Sequence, residues 1–454
     1  MAQTQPTAAP TTDSTGRPPA TPPAGSYSLR QALDYALANN LAIKNAQTDI
    51  TSAAARVGEI RSTGLPQINV DASLTHNLQI QKVILETGTG SPFGDPNTPP
   101  GSVLAFPFQL KNNGLIAASA SQILFDGSYF VGLKAAKTYQ ELSRKAVIQS
   151  KIDVAESVTK AYYSVLVNEE RLNLLSANVN RLDSLLRETR AQFQNGFVEK
   201  IDADRIEVQF NNVKVDQQRT GRLVELSKYL LQFQMGLPVK DSIALTDRLD
   251  QPGIENLVVP EEPFQYSQRV DYSTLQTQRE LGLLDIRNGR AGYLPRLTAS
   301  ATYGYNPAAT EFRNLTQFDQ RWFSYSFVGL NLHIPIFDGF QKRYKIQQSR
   351  LTSQKTDQSL VLLANNIDLQ IQQARITLTN GVDALKTQRR NLELAREVVR
   401  VTKIKYQQGV GSNIEVVNAE TDYKEAQNNY YAALYDTLVA KVDLDKATGK
   451  LIVE

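Results

Sequence analysis

FQNGFVEKID (Phe193–Asp202) and YQQGVGSNIE (Tyr406–Glu415) are two versions of one interruption. Each sets a glycine behind an aromatic-led helical run, and each brings an acid, Asp202 or Glu415, six residues after that glycine. Residues 133–195 before the first contain neither Gly nor Pro, and neither do residues 412–448 after the second. At about 1.5 Å per residue the first run would extend ~95 Å as a helix. The pattern predicts two long helical hairpins with glycine tips near Gly196 and Gly409.

Other landmarks repeat in the same order. GLPQINVDASLTHN begins at Gly64 and YLPRLTASATYGYN at Tyr293; ILFDGS (Ile123–Ser128) matches PIFDGF (Pro335–Phe340); MGLP around Gly236 matches TGKL around Gly449. The spacing between halves is constant to within one residue from the FDG motif onward, whereas the interval from LP to FDG is longer in the first half. The surplus is assigned to ETGTGSPFGDPNTPPG (Glu86–Gly101), expected to be a long turn. Ordered landmarks of this kind indicate an internal duplication. The expected organisation is a disordered leader over 1–26, repeat 1 over 27–250, a linker over 251–268 and repeat 2 over 269–454. The leader reading rests on composition, since 17 of its 26 residues are Thr, Pro or Ala, too little apolar surface to offset ordering entropy.

Each repeat opens with a helix. Ser28, with Gln31 three residues later, reads as a capping box ahead of Leu29, Leu33, Ala36, Leu37 and Leu41. Strands follow at about 66–84 and 110–125, and again at about 295–306 and 322–337. In the first, Ile68, Val70, Ala72 and Leu74 alternate with Asn69, Asp71, Ser73 and Thr75, giving one oily and one wet face. The alternation in 322–337 changes phase near Phe327–Val328. In the long helices Val165, Leu172, Val179, Leu186 and Phe193 recur every seven residues, as do Leu378, Leu385, Leu392, Val399 and Tyr406. A strict heptad implies coiled-coil packing. The companion positions Gly381, Gln388, Ala395 and Thr402 imply a thin, partly hydrated seam.

Composition narrows the function. The formal net charge is +3, which favours no nucleic-acid partner. There is no cysteine, so disulfides, thiolate metal sites and cysteine nucleophiles are excluded. His76 and His333 are the two histidines, and each lies in a strand-like run. No catalytic constellation, metal site or cofactor is expected. No run of about 18 apolar residues suggests a transmembrane helix. No signal peptide is visible, so one is expected to have been removed.

Four amphipathic strands cannot close a barrel, which takes about eight, and open edges are not tolerated in hydrocarbon. Either the sheet packs on a soluble core or several chains share one barrel. The wet face favours a shared, water-filled barrel. Tyr303, Tyr305, Trp322, Phe323, Tyr325 and Phe327 then read as an interfacial girdle.

The ordered set SLRQALDYALANN, the two LP strand starts, the paired FDG motifs and the two glycine tips resembles the TolC family of outer-membrane efflux proteins over about residues 27–451. The resemblance implies a mainly α fold with a membrane β-barrel part, each repeat a β-hairpin plus long coiled-coil helices. It implies a homotrimer sharing a twelve-stranded barrel and an α-helical tunnel, located in the outer membrane and extending into the periplasm. It further implies a non-enzymatic exit duct, docked through its tips on a periplasmic adaptor that joins an inner-membrane transporter. By motif position Glu415, Asp202 and Asn418 are the candidate constriction residues. Gly196, Gly409, Gly411, Phe193 and Tyr406 are candidates for the tip turns and adaptor docking. Gly411 stands where the family can have a latching arginine, and Asn418 where it often has a second acid. The competing expectation is a non-catalytic coiled-coil scaffold with a small soluble β-sheet.

Overall fold

A computed structural model describes residues 25–86, 101–107, 109–249, 253–254, 264–317 and 322–451. They fall into two compact units: a helical one built from residues up to 48, 145–273 and 361–454, and a sheet-bearing one built from 49–144 and 274–360.

The strands of the second unit are β2 (Gln67–His76), β5 (Asn112–Phe125), β7 (Arg296–Ala309) and β8 (Trp322–His333). They form one antiparallel sheet in the order β2-β5-β7-β8. Among the described residues, β2 and β8 are each paired on one side only. The expected first strand is shorter than 66–84: it ends at His76, and a separate ribbon, β3 (Lys82–Glu86) with β4 (Val103–Pro107), follows. The added sequence of the first half thus serves a second hairpin; residues 87–100, most of the expected turn, lie outside the described residues. β8 also stops earlier than expected, at His333.

Ladder register explains both faces. Ile68 pairs with Ala120 and Val70 with Ala118, and Ala118 with Tyr303 in turn. Asn69 pairs with Ser119, and Ser119 with Thr302. The oily set stays exposed, Ile68 at 72% and Val328 at 85%, with Val70, Leu330 and Leu332 beside them. The β7–β8 ladder is unbroken from Arg296↔His333 to Pro307↔Trp322. The phase change near Phe327 is therefore chemical rather than a slip in register. Tyr303, Tyr305 and Trp322 share the oily face, with Tyr303 and Tyr305 hydroxyls 2.9 Å apart. Phe323, Tyr325 and Phe327 stand on the wet face, so the expected six-membered girdle is divided between two faces.

The FDG motifs start the long helices. Asp126 Oδ1 accepts the backbone N–H of Ser128 at 2.8 Å, ahead of α3 (Gly127–Gln194). Asp338 Oδ2 accepts that of Lys342 at 3.0 Å, at the start of the 67-residue helix Gln341–Gln407. An aspartate at this place satisfies helix donors that have no partner in the first turn. The helix preceding β7, α5 (Val270–Ala291), lies close against the following long helix, labelled α6. Gly289 faces Ile346, where an added Cβ would stand 2.7 Å from Ile346 Cγ1.

In the helical unit α1 (Leu29–Asn39) begins with the expected capping box on Ser28 and Gln31. It stops before Leu41, which instead opens α2 (Leu41–Ser62). Asn40 makes the break: extended itself, it accepts the Ala42 N–H and donates to Gln234 O, both at 2.8 Å. The expected leader reaches too far, because Ser26–Tyr27 (β1) pairs in parallel with Ala244–Leu245 (β6); residues 1–24 lie outside the described set, as does most of the expected linker. Tyr162, fully buried in α3, donates to Asp247 Oδ2 at 3.0 Å, and the same carboxylate oxygen accepts the Leu29 N–H at 2.8 Å. Burial, with Asp247 alongside, pushes the Tyr162 phenol well above its usual range.

The remaining helices are α4 (Lys200–Met235) and α7 (Asn413–Ala447). Of the heptad positions, Val165, Leu186, Leu378, Leu385 and Val399 are buried. Phe193, at the end of its series, is exposed. The seam along α6 is thin for a steric reason. At Gly381 an added Cβ would stand 3.0 Å from Thr437 Oγ1 of α7, so the small residue lets the two helices approach.

Candidate functional site

Four glycines end helices by the same device. At Gly196, with φ of 76°, Phe197 N–H reaches Gln192 O at 2.9 Å and Gly196 N–H reaches Phe193 O at 3.0 Å. At Gly409, with φ of 74°, Val410 N–H reaches Lys405 O and Gly409 N–H reaches Tyr406 O, both at 3.0 Å. Gly236 and Gly449 repeat the pattern. This left-handed stop satisfies the last helix carbonyls and strains any residue with a Cβ. Gly411 has a different reason to be glycine: a Cβ there would sit 2.9 Å from Lys405 Cβ, against the end of its own incoming helix.

The two tips differ after the glycine. Ser412 caps α7, its hydroxyl 3.4 Å from the Glu415 N–H, whereas Glu199 precedes α4 without a side-chain cap. Asn413, 4% exposed, donates through Nδ2 to the Asp202 carbonyl at 2.7 Å and to Asp202 Oδ1 at 3.0 Å. One tip is thereby tied to the other. Asp202 is half-buried and its carboxylate is engaged in this tie, a contact that the motif comparison did not reveal.

Val416, next to Glu415, is buried among Leu182, Leu185, Ile206 and Val213, with Tyr406 packed against the cluster. Burial raises the Tyr406 phenol above its ordinary value. One turn further on, Arg181 of α3 grips Glu420 of α7 with both carboxylate oxygens engaged, at 3.0 and 2.6 Å. Glu420 is 4% exposed, and the guanidinium also lies 5.2 Å from the centre of the Tyr423 ring. Asn178 donates to Gln427 at 2.7 Å along the same seam.

Glu415 and Asn418 point the other way and are exposed. They begin an exposed stripe that continues through Asp422, Glu425 and Asn429 at helical spacing. Asp422 and Glu425 were not singled out from the sequence; continuing the three- and four-residue steps from Glu415 would have found them. At the outermost turn Phe197 and Val410 are exposed together with Phe193. These two apolar turn residues were also missed, since nothing in a sequence distinguishes an exposed turn valine from a buried one.

Residues 32–226 and 269–450 match the family described as outer membrane efflux protein. The chain is 22% identical over 339 residues to the outer membrane protein TolC of Vibrio cholerae, covering 73% of this chain and 75% of that one. It is 21% identical over 343 residues to the alkaline protease secretion protein AprF of Pseudomonas aeruginosa, with 73% and 69% covered. Its fold is similar to that of the Campylobacter jejuni CmeC outer membrane channel, with a TM-score of 0.70, 16% identity, and 93% and 85% of the two chains covered.

Proposed function

We propose how this chain works from one premise: it belongs to the outer membrane efflux protein family. It is an outer-membrane channel, a passive exit duct of the kind that serves tripartite export systems. We read it as a homotrimer in which three four-stranded sheets close one twelve-stranded barrel and the long helices form a tunnel through the periplasm.

The observation carrying this reading is the sheet itself. It has an exposed apolar face and two strands, β2 and β8, each with one open edge. Such edges need pairing, and in hydrocarbon they need it without exception. Joining β8 of one copy to β2 of the next removes every edge and directs Ile68, Val70 and Leu330 to lipid. A coiled-coil scaffold with a soluble sheet would have to cover that face instead. The four matching glycine stops support reading the chain as a duplication.

In the helical unit, the stripe beginning at Glu415 and Asn418 is read as lining the narrow part of the tunnel. Three copies would bring carboxylates together on one axis, favouring cations. The Asp202–Asn413 tie holds the two tips of each chain together. Phe193, Phe197 and Val410, with the glycine turns, offer the surface for a periplasmic adaptor that leads to an inner-membrane transporter. The duct performs no chemistry of its own.

Bilayer recording tests this reading. The purified chain is expected to give discrete conductance steps with cation preference, and Glu415→Gln is expected to reduce that preference. Absence of conductance contradicts the duct, and unchanged selectivity removes Glu415 from the pore.

A further inference from the structure

The wet face of the sheet carries a group of rings that barrel solubility does not require. Because the β7–β8 ladder runs without a slip, Phe323, Tyr325 and Phe327 stand on the same face as Asn69, Asp71 and Thr302. They lie at the end of β8 that leads to the β7–β8 connection, away from the ends that join the helices. Phe323 is 67% exposed and Phe327 55%. Tyr325 lies down over the sheet: an added Cβ on its ladder partner Gly304 would meet Tyr325 Cε1 at 2.9 Å. That glycine keeps the strand bare beneath the ring.

Charge on this face is sparse and placed unevenly. One cross-strand row runs Asp71, Ala117, Gly304, Tyr325. Asp71 is the one carboxylate on this face among the described strand residues, and it is exposed. The basic side chains on the same face, Arg296 and His333, pair with each other at the opposite end of the ladder, and Arg296 lies 3.5 Å from Asp126. Among the described strand residues, the ring-bearing half of this face therefore combines aromatic faces with a carboxylate, while its basic side chains stand at the other end of the ladder. If β8 of one copy meets β2 of the next, as in the trimer proposed above, the Asp71 row of the neighbour adjoins the rings.

We infer that the wet face of the sheet holds a cargo subsite for aromatic organic cations, with Phe323, Tyr325 and Phe327 stacking on the ring and Asp71 supplying the opposing charge. The chemistry is that of a cation and a planar ring meeting aromatic faces. The inference rests on the shared-barrel reading, and its test separates the two.

The full chain is recorded in planar bilayers with three blockers: a naphthylmethyl-trimethylammonium ion, tetramethylammonium and naphthalenesulfonate. The naphthyl cation is expected to half-block at a concentration about tenfold lower than either of the others. F323S/Y325S/F327S is expected to remove most of that advantage and to weaken tetramethylammonium block less, because that ion loses cation–π contact but no ring stacking. D71N is expected to weaken block by the naphthyl cation about threefold. Glu415 responds to charge alone, so the ratio of naphthyl-cation to tetramethylammonium block, in which equal charge cancels, reports on the rings of the sheet. Should the triple variant fail to form channels, F327L, which keeps apolar bulk and removes one ring, is expected to lose part of the advantage. A conducting channel blocked equally by all three ions, or an advantage that survives the ring substitutions, overturns the subsite alone. A chain that never conducts overturns the duct and the subsite with it.

Discussion

The helical seam near the tips and the four-stranded sheet solve opposite problems. In the seam, polar groups find their partners within one chain: Arg181 with Glu420, Asn178 with Gln427, Asn413 with Asp202. In the sheet, apolar side chains stay uncovered and both outer strands keep an open edge. One region is paired largely within a single chain, with Asn413 Oδ1 and Gln427 Nε2 left buried without partners, whereas the other, on the proposed reading, is completed by lipid and by further copies. Substitutions in the seam should therefore be felt in water and in membranes alike, while those on the oily face should be felt only where the sheet is assembled.

The largest expected effect breaks the seam. Arg181→Ala leaves Glu420 buried without its partner and is expected to cost about 3 kcal/mol, the low end for a broken buried pair because Arg181 is partly exposed. Thermal unfolding in detergent measures it, and replacing both residues by leucine should recover most of the loss. Next, Val70→Lys on the oily face is expected to cost about 2–4 kcal/mol in a bilayer, as charge does at mid-depth of a barrel. Membrane insertion assays would show this; a soluble sheet would tolerate the lysine. Asn413→Ala removes the tie between tips and leaves Asp202 without its amide, at a cost of about 1–2 kcal/mol. Single-channel recording is expected to show longer or larger openings, with an intact barrel.

The smallest effect sharpens the electrostatics of the seam. Burial pushes the Glu156 carboxyl up, but hydrogen bonds and attraction from Lys160 and Lys446 outweigh it and hold the carboxyl below its ordinary value. A carboxyl depressed in the folded state contributes stability above its unfolded value, about pH 4.3, and loses it as pH falls through the folded value. Because the groups are partly exposed, less than about 1 kcal/mol is at stake. Between neutral pH and pH 3 wild type should lose slightly more stability than Glu156→Gln, in acid-titrated unfolding.

Much of this architecture was legible in the chain. Gly196 and Gly409 marked helix tips because few other residues adopt their backbone conformation, whereas Gly236, Gly449, Asp126 and Asp338 stood out only as landmarks of the repeat and show their roles at helix ends and starts in the structure. Strand faces were legible wherever alternation was strict, as in β2. Features that depend on which elements become neighbours were not. The Asp202–Asn413 tie joins residues far apart in sequence, and either alone reads as an ordinary first-turn residue. Phe323, Tyr325 and Phe327 looked like part of a lipid-facing girdle because composition alone cannot separate two faces; the ladder to β7 does. The break at Asn40 was hidden by an apolar series that runs on to Leu41, since its cause is a side chain reaching the end of α4.

Copy number tests the shared barrel most directly. Multi-angle light scattering of the detergent-purified chain, with the detergent mass subtracted, is expected to give three chains per particle. A particle of one or two chains leaves the β2 and β8 edges without a barrel to close and contradicts the shared duct.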